Sequence, residues 1–121
     1  GCRVSLFMDP APALMAKAAE LGADRVELYT EGWAQAHGTE AQDKVLEQYA
    51  ASVKAAREAG LDVNAGHDLS LDNLEVFLKA CREVSEVSIG HALTAEALQI
   101  GFAETVRRYE EILDRVAASE D

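Results

Sequence analysis

The 121-residue sequence predicts an α/β fold built from four successive βα units. Short apolar segments alternate with longer segments of helical periodicity, and the units recur at intervals of roughly 25–30 residues. Two of the predicted strands end in the same dipeptide, Gly66-His67 and Gly90-His91, and a helical segment follows each. Strands separated by helices pair in parallel, so the carboxyl ends of these strands are expected to meet at one edge of a sheet.

The first unit begins with a strand predicted over residues 3–8, in which the side chains of Val4, Leu6 and Met8 share one face. Asp9 and Pro10 are predicted to be the N-cap and the first position of the following helix. That helix is expected to end at a glycine, Gly22. The residues expected to form its core-facing stripe are Leu14, Ala18 and Leu21.

The second unit has a predicted strand over residues 25–30 and then a loop over residues 31–38 that contains Trp33 and His37. This loop is interpreted either as a plain surface loop or as a mobile flap over a site. Thr39 and Gln42 match a capping box at the start of the next helix. That helix is expected to end at Gly60 and to bury one face, formed by Val45, Tyr49, Val53 and Ala56.

The last two units have predicted strands over residues 62–66 and 86–89. Ser70 is predicted to cap the helix between them, whose apolar stripe consists of Leu71, Leu74, Leu78 and Cys81. A single final helix is predicted after the fourth strand, with a stripe formed by Leu98, Phe102, Val106, Tyr109, Leu113 and Val116. The acidic end, residues 119–121, is expected to be solvated and frayed.

Four βα units form either a small open sheet or half of a (β/α)₈ barrel, which typically needs about 250 residues. A half barrel leaves two unpaired strand edges, which proteins normally cover. We therefore expect residues 1–121 to form one domain that lacks an N-terminal half, binds a partner chain or self-associates. The chain begins with Gly1 and enters a strand almost at once, so a fragment or a processed piece is expected.

The composition excludes several classes of function. Eleven basic residues against 22 acidic ones give a net charge of −11, which disfavours binding to nucleic acid or to an anionic membrane surface. We identify neither a signal peptide nor an apolar run long enough to span a membrane. Two cysteines are too few for a disulfide framework, so a reducing, cytoplasmic setting is expected.

The repeated Gly-His dipeptide indicates a binding site. Glycine permits close approach to the backbone, free N–H groups at a helix start hold anions, and an imidazole transfers protons near pH 7. Because the chain is acidic, a bound phosphate is expected to be held mainly by backbone N–H groups. The sequence therefore predicts a site for a small phosphorylated metabolite.

Glu27 and His67 are the candidate catalytic residues. Glu27 faces away from Val26 and Leu28, where a carboxylate is costly unless it is paired or used; the alternative is an exposed position or a structural ion pair. The alternative for His67 is a histidine that caps a loop. Asn64 is interpreted equally well as a ligand contact or as a hydrogen-bonded interior residue.

Gly90, His91 and Asp68 are the candidate binding residues. The alternative is that Gly90 only forms a tight turn and that the side chain of His91 packs nearby. A carboxylate repels phosphate, so the side chain of Asp68 is expected to point away from the ligand, toward a helix cap, and only its backbone is assigned to binding.

Four segments carry a resemblance to a known family: Val4 to Asp9, Val26 to Thr30, Val63 to Leu69, and Ile89 to Ala92. In that order they resemble the C-terminal half of the pyridoxine 5′-phosphate synthases, which are (β/α)₈-barrel transferases of vitamin B6 synthesis. The resemblance implies condensation of 1-deoxy-D-xylulose 5-phosphate with 3-amino-2-oxopropyl phosphate, without a metal or other cofactor. It also implies a homo-oligomer, which in that family is an octamer.

The resemblance further implies a role for each site residue. His67 corresponds to the proton donor, and Glu27 to the carboxylate that stabilises the transition state. Asp68, Gly90 and His91 correspond to substrate contacts, whereas the family's proton acceptors lie in the half that this chain lacks. Two other functions stay open: a metal-dependent lyase or hydrolase that uses Glu27, His67 and His91, and a non-catalytic half barrel that self-associates.

Overall fold

The computed structural model describes residues 1–119, so the expectation for the end of the acidic tail lies outside the described residues. The strands are β1 (Ser5–Met8), β2 (Arg25–Tyr29), β3 (Asp62–Gly66) and β4 (Glu86–Ser88). The helices are α1 (Pro12–Glu20), α2 (Glu31–Ala36), α3 (Gln42–Glu58), α4 (Leu74–Ala80), α5 (His91–Ile100) and α6 (Phe102–Ala118).

The four strands form one parallel sheet in the order β1-β2-β3-β4. Each strand pairs with the next along the chain, and the register aligns Tyr29 with Gly66 and Gly66 with Ser88. The predicted α/β class and the parallel sheet are confirmed, and this topology is compatible with part of a (β/α)₈ barrel.

The two faces of the sheet differ sharply in polarity. Val26, Leu28, Val63 and Ala65 are fully buried on the face that packs against the helices. The alternate residues project from the opposite face, which carries Glu27, Asn64 and Ser88 and stays partly open. The prediction that Glu27 faces away from Val26 and Leu28 is therefore confirmed.

The first helix differs from the prediction at its start and in its buried face. It begins at Pro12 with Ala11 as the N-cap, in an extended conformation, because a residue that precedes proline avoids the helical region. The prediction that Asp9 and Pro10 start the helix is wrong. Its buried residues are Met15 and Ala18, whereas Leu14 and Leu21 are exposed.

The segment predicted as a loop over residues 31–38 is largely helix α2. Trp33 is fully buried, and its Nε1 donates a 3.1 Å hydrogen bond to the carbonyl of Asn73. Gly32 lies close to the Tyr49 hydroxyl, which a Cβ at position 32 would meet at 3.2 Å. Burial of the indole fixes this segment in the core. The segment is therefore neither a plain surface loop nor a mobile flap.

The caps of the two central helices are also shifted. Helix α3 begins at Gln42 without a side-chain cap, and the Gln42 side chain accepts a hydrogen bond from the amide of Gly38. Its predicted face is confirmed for Tyr49, Val53 and Ala56, which are buried. Helix α4 begins at Leu74, and the Ser70 hydroxyl accepts from the amides of residues 72 and 73 in the turn before it.

The final predicted helix is two helices that meet at Gly101, where φ is +90°. Leu98 and Phe102 flank this break and are 85% and 68% exposed. The prediction of one continuous stripe is wrong because the break turns α6 onto a new face. The buried residues of α6 are Thr105, Tyr109, Ile112 and Val116.

Across residues 1–119, no helix combines the length and the apolar character needed to cross a membrane.

Candidate active site

The five predicted site residues line one cleft of about 700 Å³ at the carboxyl ends of β2, β3 and β4. Glu27 comes from β2, His67 and Asp68 follow β3, and Gly90 and His91 connect β4 to α5. We call this cavity the carboxyl-end cleft. The carboxyl edge of a parallel sheet is where α/β enzymes bind their ligands.

The carboxylate of Glu27 lies over the backbone of Gly66. A Cβ at position 66 would meet the Oε2 atom of Glu27 at 3.3 Å and the Cβ of Ser88 at 3.2 Å. Glycine at this position therefore makes room for the carboxylate, whereas the sequence argument assigned that room to a ligand. None of the ion pairs found within residues 1–119 uses Glu27.

His67 lies at the rim of the cleft in an unusual backbone conformation. Its φ is +94° and that of Asp68 is +62°, and they are the two non-glycine residues with positive φ in the described part of the chain. Such values are rare for residues with a Cβ and concentrate at functional sites. The Tyr29 ring packs edge-on against the imidazole, with the ring centroids 4.5 Å apart.

The prediction that the side chain of Asp68 points away from the cleft, toward a helix cap, is wrong. It lines the cleft, and its Oδ2 atom lies 3.6 Å from the Nδ1 atom of His67. The left-handed backbone at both positions accounts for this orientation, since it turns the two adjacent side chains toward each other.

Gly90 and His91 form the start of α5. Gly90 is the N-cap, no side chain caps this end, and the first turn contains no acidic residue. The first helical amides are therefore free to bind an anion. A Cβ at position 90 would meet nothing within 4 Å, so the space next to this backbone is open.

The cleft has no cationic side chain of lysine or arginine in its lining. Its charge comes from Glu27 and Asp68, with two imidazoles beside them. Outside the lining, the Tyr29 hydroxyl donates a short hydrogen bond to Glu31. That bond, with burial and the carboxylates of Glu31, Asp68 and Asp9, raises the pKa of Tyr29 to about 12.

A second polar group, which we call the amino-end cluster, consists of the first residues of β2, β3 and β4 and the middle residue of β3: Arg25, Asp62, Glu86 and Asn64. The Arg25 Nη1 atom donates a 2.8 Å hydrogen bond to the Oδ1 atom of Asn64. The guanidinium also lies 3.5 Å from Asp62 and 3.4 Å from Glu86. Of the two interpretations of Asn64, the structure supports the hydrogen-bonded interior residue.

Three residues beside the cleft were missed by the sequence argument as contributors to it: Tyr29, Thr30 and Asn73. Tyr29 lies two residues after Glu27 on β2 and therefore shares its face of the sheet, which the period of the strand could have predicted. Thr30 donates to the carbonyl of His67, and Asn73 donates to the carbonyl of Asp68. No local motif marks these two contacts. Trp33 and His37 do not join the cleft, and they stack against each other instead.

The structure gives little support to a metal site. Within residues 1–119, no three His, Cys, Asp or Glu side chains are grouped so that they could hold a metal ion. Glu27, His67 and His91 share the cleft but do not form such a group. Cys81 is buried, which raises the pKa of its thiol to about 12, and Cys2 is exposed and unpaired.

Comparison with known proteins shows the family of the chain. Residues 1–115 match the model of the family described as pyridoxal phosphate biosynthesis protein PdxJ. The chain is 57% identical over 109 residues to a pyridoxine 5′-phosphate synthase from Albidiferax ferrireducens, covering 90% of this chain and 43% of that protein. It is 54% identical over 116 residues to a protein of the same name from Xylella fastidiosa, covering 96% of this chain and 45% of that protein.

The chain thus spans less than half the length of the curated relatives that it matches. The family match covers nearly all of the chain, including both Gly-His dipeptides and Glu27. On this evidence, the chain belongs to the PdxJ family of pyridoxal phosphate biosynthesis proteins.

Proposed function

We propose that this chain is the C-terminal half of a pyridoxine 5′-phosphate synthase and supplies the phosphate-binding part of its active site. The reaction would condense 3-amino-2-oxopropyl phosphate with 1-deoxy-D-xylulose 5-phosphate. The observation that carries this proposal is the convergence of Glu27, His67, Asp68, Gly90 and His91 on one cleft. Glu27 lies in β2, His67 and Asp68 follow β3, and Gly90 and His91 follow β4.

The phosphate would be bound at the start of α5. No side chain caps this helix end, and the space next to the Gly90 backbone is open. Backbone N–H groups and the helix dipole attract an anion without a cationic side chain. This suits a cleft that lacks lysine and arginine, in a chain whose net charge is −11.

The imidazole of His67 would donate a proton to a leaving oxygen. The amine of the aminoketone attacks the ketone of the sugar phosphate, and the resulting carbinolamine loses water to give an imine. Protonation of the departing hydroxyl by His67 makes that loss easier. The Glu27 carboxylate, which lies over Gly66 and has no ion-pair partner within residues 1–119, would stabilise the positive charge that develops on nitrogen.

The remaining chemistry requires groups outside this chain. Proton abstraction, loss of inorganic phosphate and ring closure need proton acceptors that we assign to an N-terminal half. The two halves would complete a (β/α)₈ barrel by pairing the free edges of β1 and β4. We further propose a cytoplasmic homo-oligomer.

A self-associating half barrel without catalytic activity is the second candidate. The unpaired outer edges of β1 and β4 favour it, because an exposed strand edge tends to pair with another chain. Sizing chromatography of the chain alone tests this alternative, since a folded monomer of 13.0 kDa would contradict it.

A chimera tests the main proposal. The part of the Albidiferax ferrireducens synthase that the chain does not match would precede residues 1–121, and formation of pyridoxine 5′-phosphate would be measured. We expect turnover, and we expect His67→Asn to lower kcat by roughly 10²–10⁴-fold because it removes the proton donor.

The matched control is His37→Asn, the same chemical change at a histidine that packs on Trp33 outside the cleft. It is expected to leave kcat within about threefold of the unsubstituted chimera. A folded chimera without turnover would contradict the proposed function. Equal turnover by the His67→Asn chimera would contradict the role of His67.

A further inference from the structure

The turn that presents His67 to the cleft is held in a conformation that its own residues disfavour. Two consecutive residues with a Cβ, His67 and Asp68, have φ values of +94° and +62°. Asp tolerates the left-handed conformation because its side chain is short, but φ of +94° at His67 exceeds the value of about +50 to +70° that is usual for left-handed residues. A pair of this kind persists only where surrounding contacts over-determine it.

Two buried polar side chains contact this turn from different elements. The Thr30 hydroxyl, at the end of β2, donates a 2.6 Å hydrogen bond to the carbonyl of His67. The Asn73 amide, at the N-cap of α4, donates a 3.1 Å hydrogen bond to the carbonyl of Asp68. Thr30 is fully buried and Asn73 is 6% exposed, so neither side chain has a solvent contact that would compensate for losing its partner.

Each anchor is itself fixed in place. The Thr30 amide donates a 2.9 Å hydrogen bond to the carbonyl of Gly66, which continues the pairing of β2 with β3. The Oδ1 atom of Asn73 accepts from the Ser70 amide at 2.9 Å, and its carbonyl accepts from the Trp33 indole. The turn is therefore connected to the sheet on one side and to the buried core of α2 on the other.

We propose that Thr30 and Asn73 are positioning residues that hold the His67-Asp68 turn in its left-handed conformation and thereby aim the His67 imidazole at the cleft. The consequence for catalysis depends on the proposed function, but the conformational claim does not. Without the two carbonyl contacts, φ at His67 relaxes to a negative value. The imidazole then leaves its edge-on contact with Tyr29.

Nuclear magnetic resonance of the chain tests this proposal without measuring turnover. A positive φ brings the amide and α protons of one residue close together and gives a strong intraresidue nuclear Overhauser effect. The Tyr29 ring also shifts the resonances of the His67 ring protons. We expect Thr30→Val to weaken the intraresidue nuclear Overhauser effect at His67 and to move the resonances of the His67 ring protons toward their random-coil positions.

Three further variants separate positioning from general stability. Thr30→Ser keeps the hydroxyl and should restore both signals. Asn73→Asp keeps the oxygen that accepts from Ser70 but loses the donor to Asp68, so it should weaken the amide–α-proton signal at residue 68. Thr105→Val is the matched control, because Thr105 is equally buried and its hydroxyl donates to the carbonyl of Gly101 at 2.7 Å; it should leave both His67 signals unchanged.

The proposal is overturned if folded Thr30→Val and Asn73→Asp variants keep the signals of the unsubstituted turn, or if Thr105→Val changes them as much. If the signals change as expected while the unsubstituted chimera forms no pyridoxine 5′-phosphate, the conformational claim holds and the proposed function fails.

Discussion

At the amino ends of the strands, Arg25 contacts Asn64, Asp62 and Glu86, whereas at the carboxyl ends Glu27, His67 and His91 surround an open cleft. Arg25 and Glu27 project from the same face of β2, whereas His67 follows the end of β3 and His91 begins α5. The guanidinium of Arg25 is mostly buried, with a side chain that is 10% exposed, while the His67 side chain is 47% exposed. The charged groups at the amino end form ion pairs with one another, whereas those at the carboxyl end face an open cleft.

In this sheet, the polar groups at the amino end contribute to stability, whereas those at the carboxyl end form the candidate site. Paired polar groups at the amino end contribute to cohesion of β2, β3 and β4. At the carboxyl end, the protein maintains two positive φ values, which cost stability. It also carries the Glu27 carboxylate, which has no ion-pair partner within residues 1–119. Alpha/beta barrels show the same division between their two ends.

The largest expected effect on stability comes from breaking the amino-end cluster. Arg25→Leu removes the donor to Asn64 and one ion-pair partner each from Asp62 and Glu86, while Asp62 keeps its 2.7 Å contact with Arg57. We expect it to lower the free energy of unfolding by about 2 kcal/mol, the scale of one hydrogen bond from a charged donor, because Asp62 and Glu86 are themselves half exposed or more. Urea unfolding measured at pH 7 checks this value.

The matched variant at the other end is Glu27→Gln, which removes a carboxylate without an ion-pair partner. Its unfolding free energy should stay within about 0.5 kcal/mol of the unsubstituted chain. Equal losses for Arg25→Leu and Glu27→Gln would show that the two ends do not differ in the proposed way.

A smaller effect is expected from the strained turn. At position 68, where φ is +62°, glycine adopts the conformation freely and alanine does not. We expect Asp68→Gly to be more stable than Asp68→Ala by about 1 kcal/mol, as measured by thermal unfolding. At Asp72, which has no positive φ, the order should reverse, since glycine there only adds entropy to the unfolded chain. Alanine being the more stable variant at both positions would contradict the left-handed turn.

The smallest effect concerns alkaline pH. The hydrogen bond to Glu31 and the nearby carboxylates raise the pKa of Tyr29 from 10.0 to about 12. The unfolded chain therefore loses this proton first, and the contribution of Tyr29 to stability, complete below pH 10, is lost as the pH rises toward 12. Glu31→Gln should lower the pKa of Tyr29, as followed by the carbon resonances of its ring.

Glu96→Gln provides the comparison for this titration. The Tyr109 hydroxyl donates to Glu96, and burial together with that carboxylate raises the pKa of Tyr109. This variant should lower the pKa of Tyr109 and leave that of Tyr29 unchanged. A Tyr29 titration that is insensitive to Glu31→Gln would contradict the hydrogen bond at the cleft rim.

The sequence was sufficient for the features that depend on local periodicity. Alternation along β2 predicted the orientation of Glu27, and a Gly-His dipeptide at two strand ends predicted which residues meet. These signals lie within a few residues of the groups they describe, so no tertiary information was needed to find them.

The features that were missed depend on contacts between distant segments. Burial of Trp33 against the carbonyl of Asn73, 40 residues away, makes α2 a helix in the core. The contact from Thr30 to His67 spans 37 residues. The break at Gly101 was hidden because Leu98 and Phe102 keep a helical spacing although both are exposed.

We propose that the carboxyl-end cleft is a preformed half-site for a phosphorylated ligand. The most direct test titrates the chain with 3-amino-2-oxopropyl phosphate and follows the backbone amides by nuclear magnetic resonance. We expect saturable shifts at Gly66, Asp68, Gly90 and His91, with the amides of the amino-end cluster unmoved. A folded sample without saturable shifts, or with shifts centred on the amino-end cluster, would contradict it.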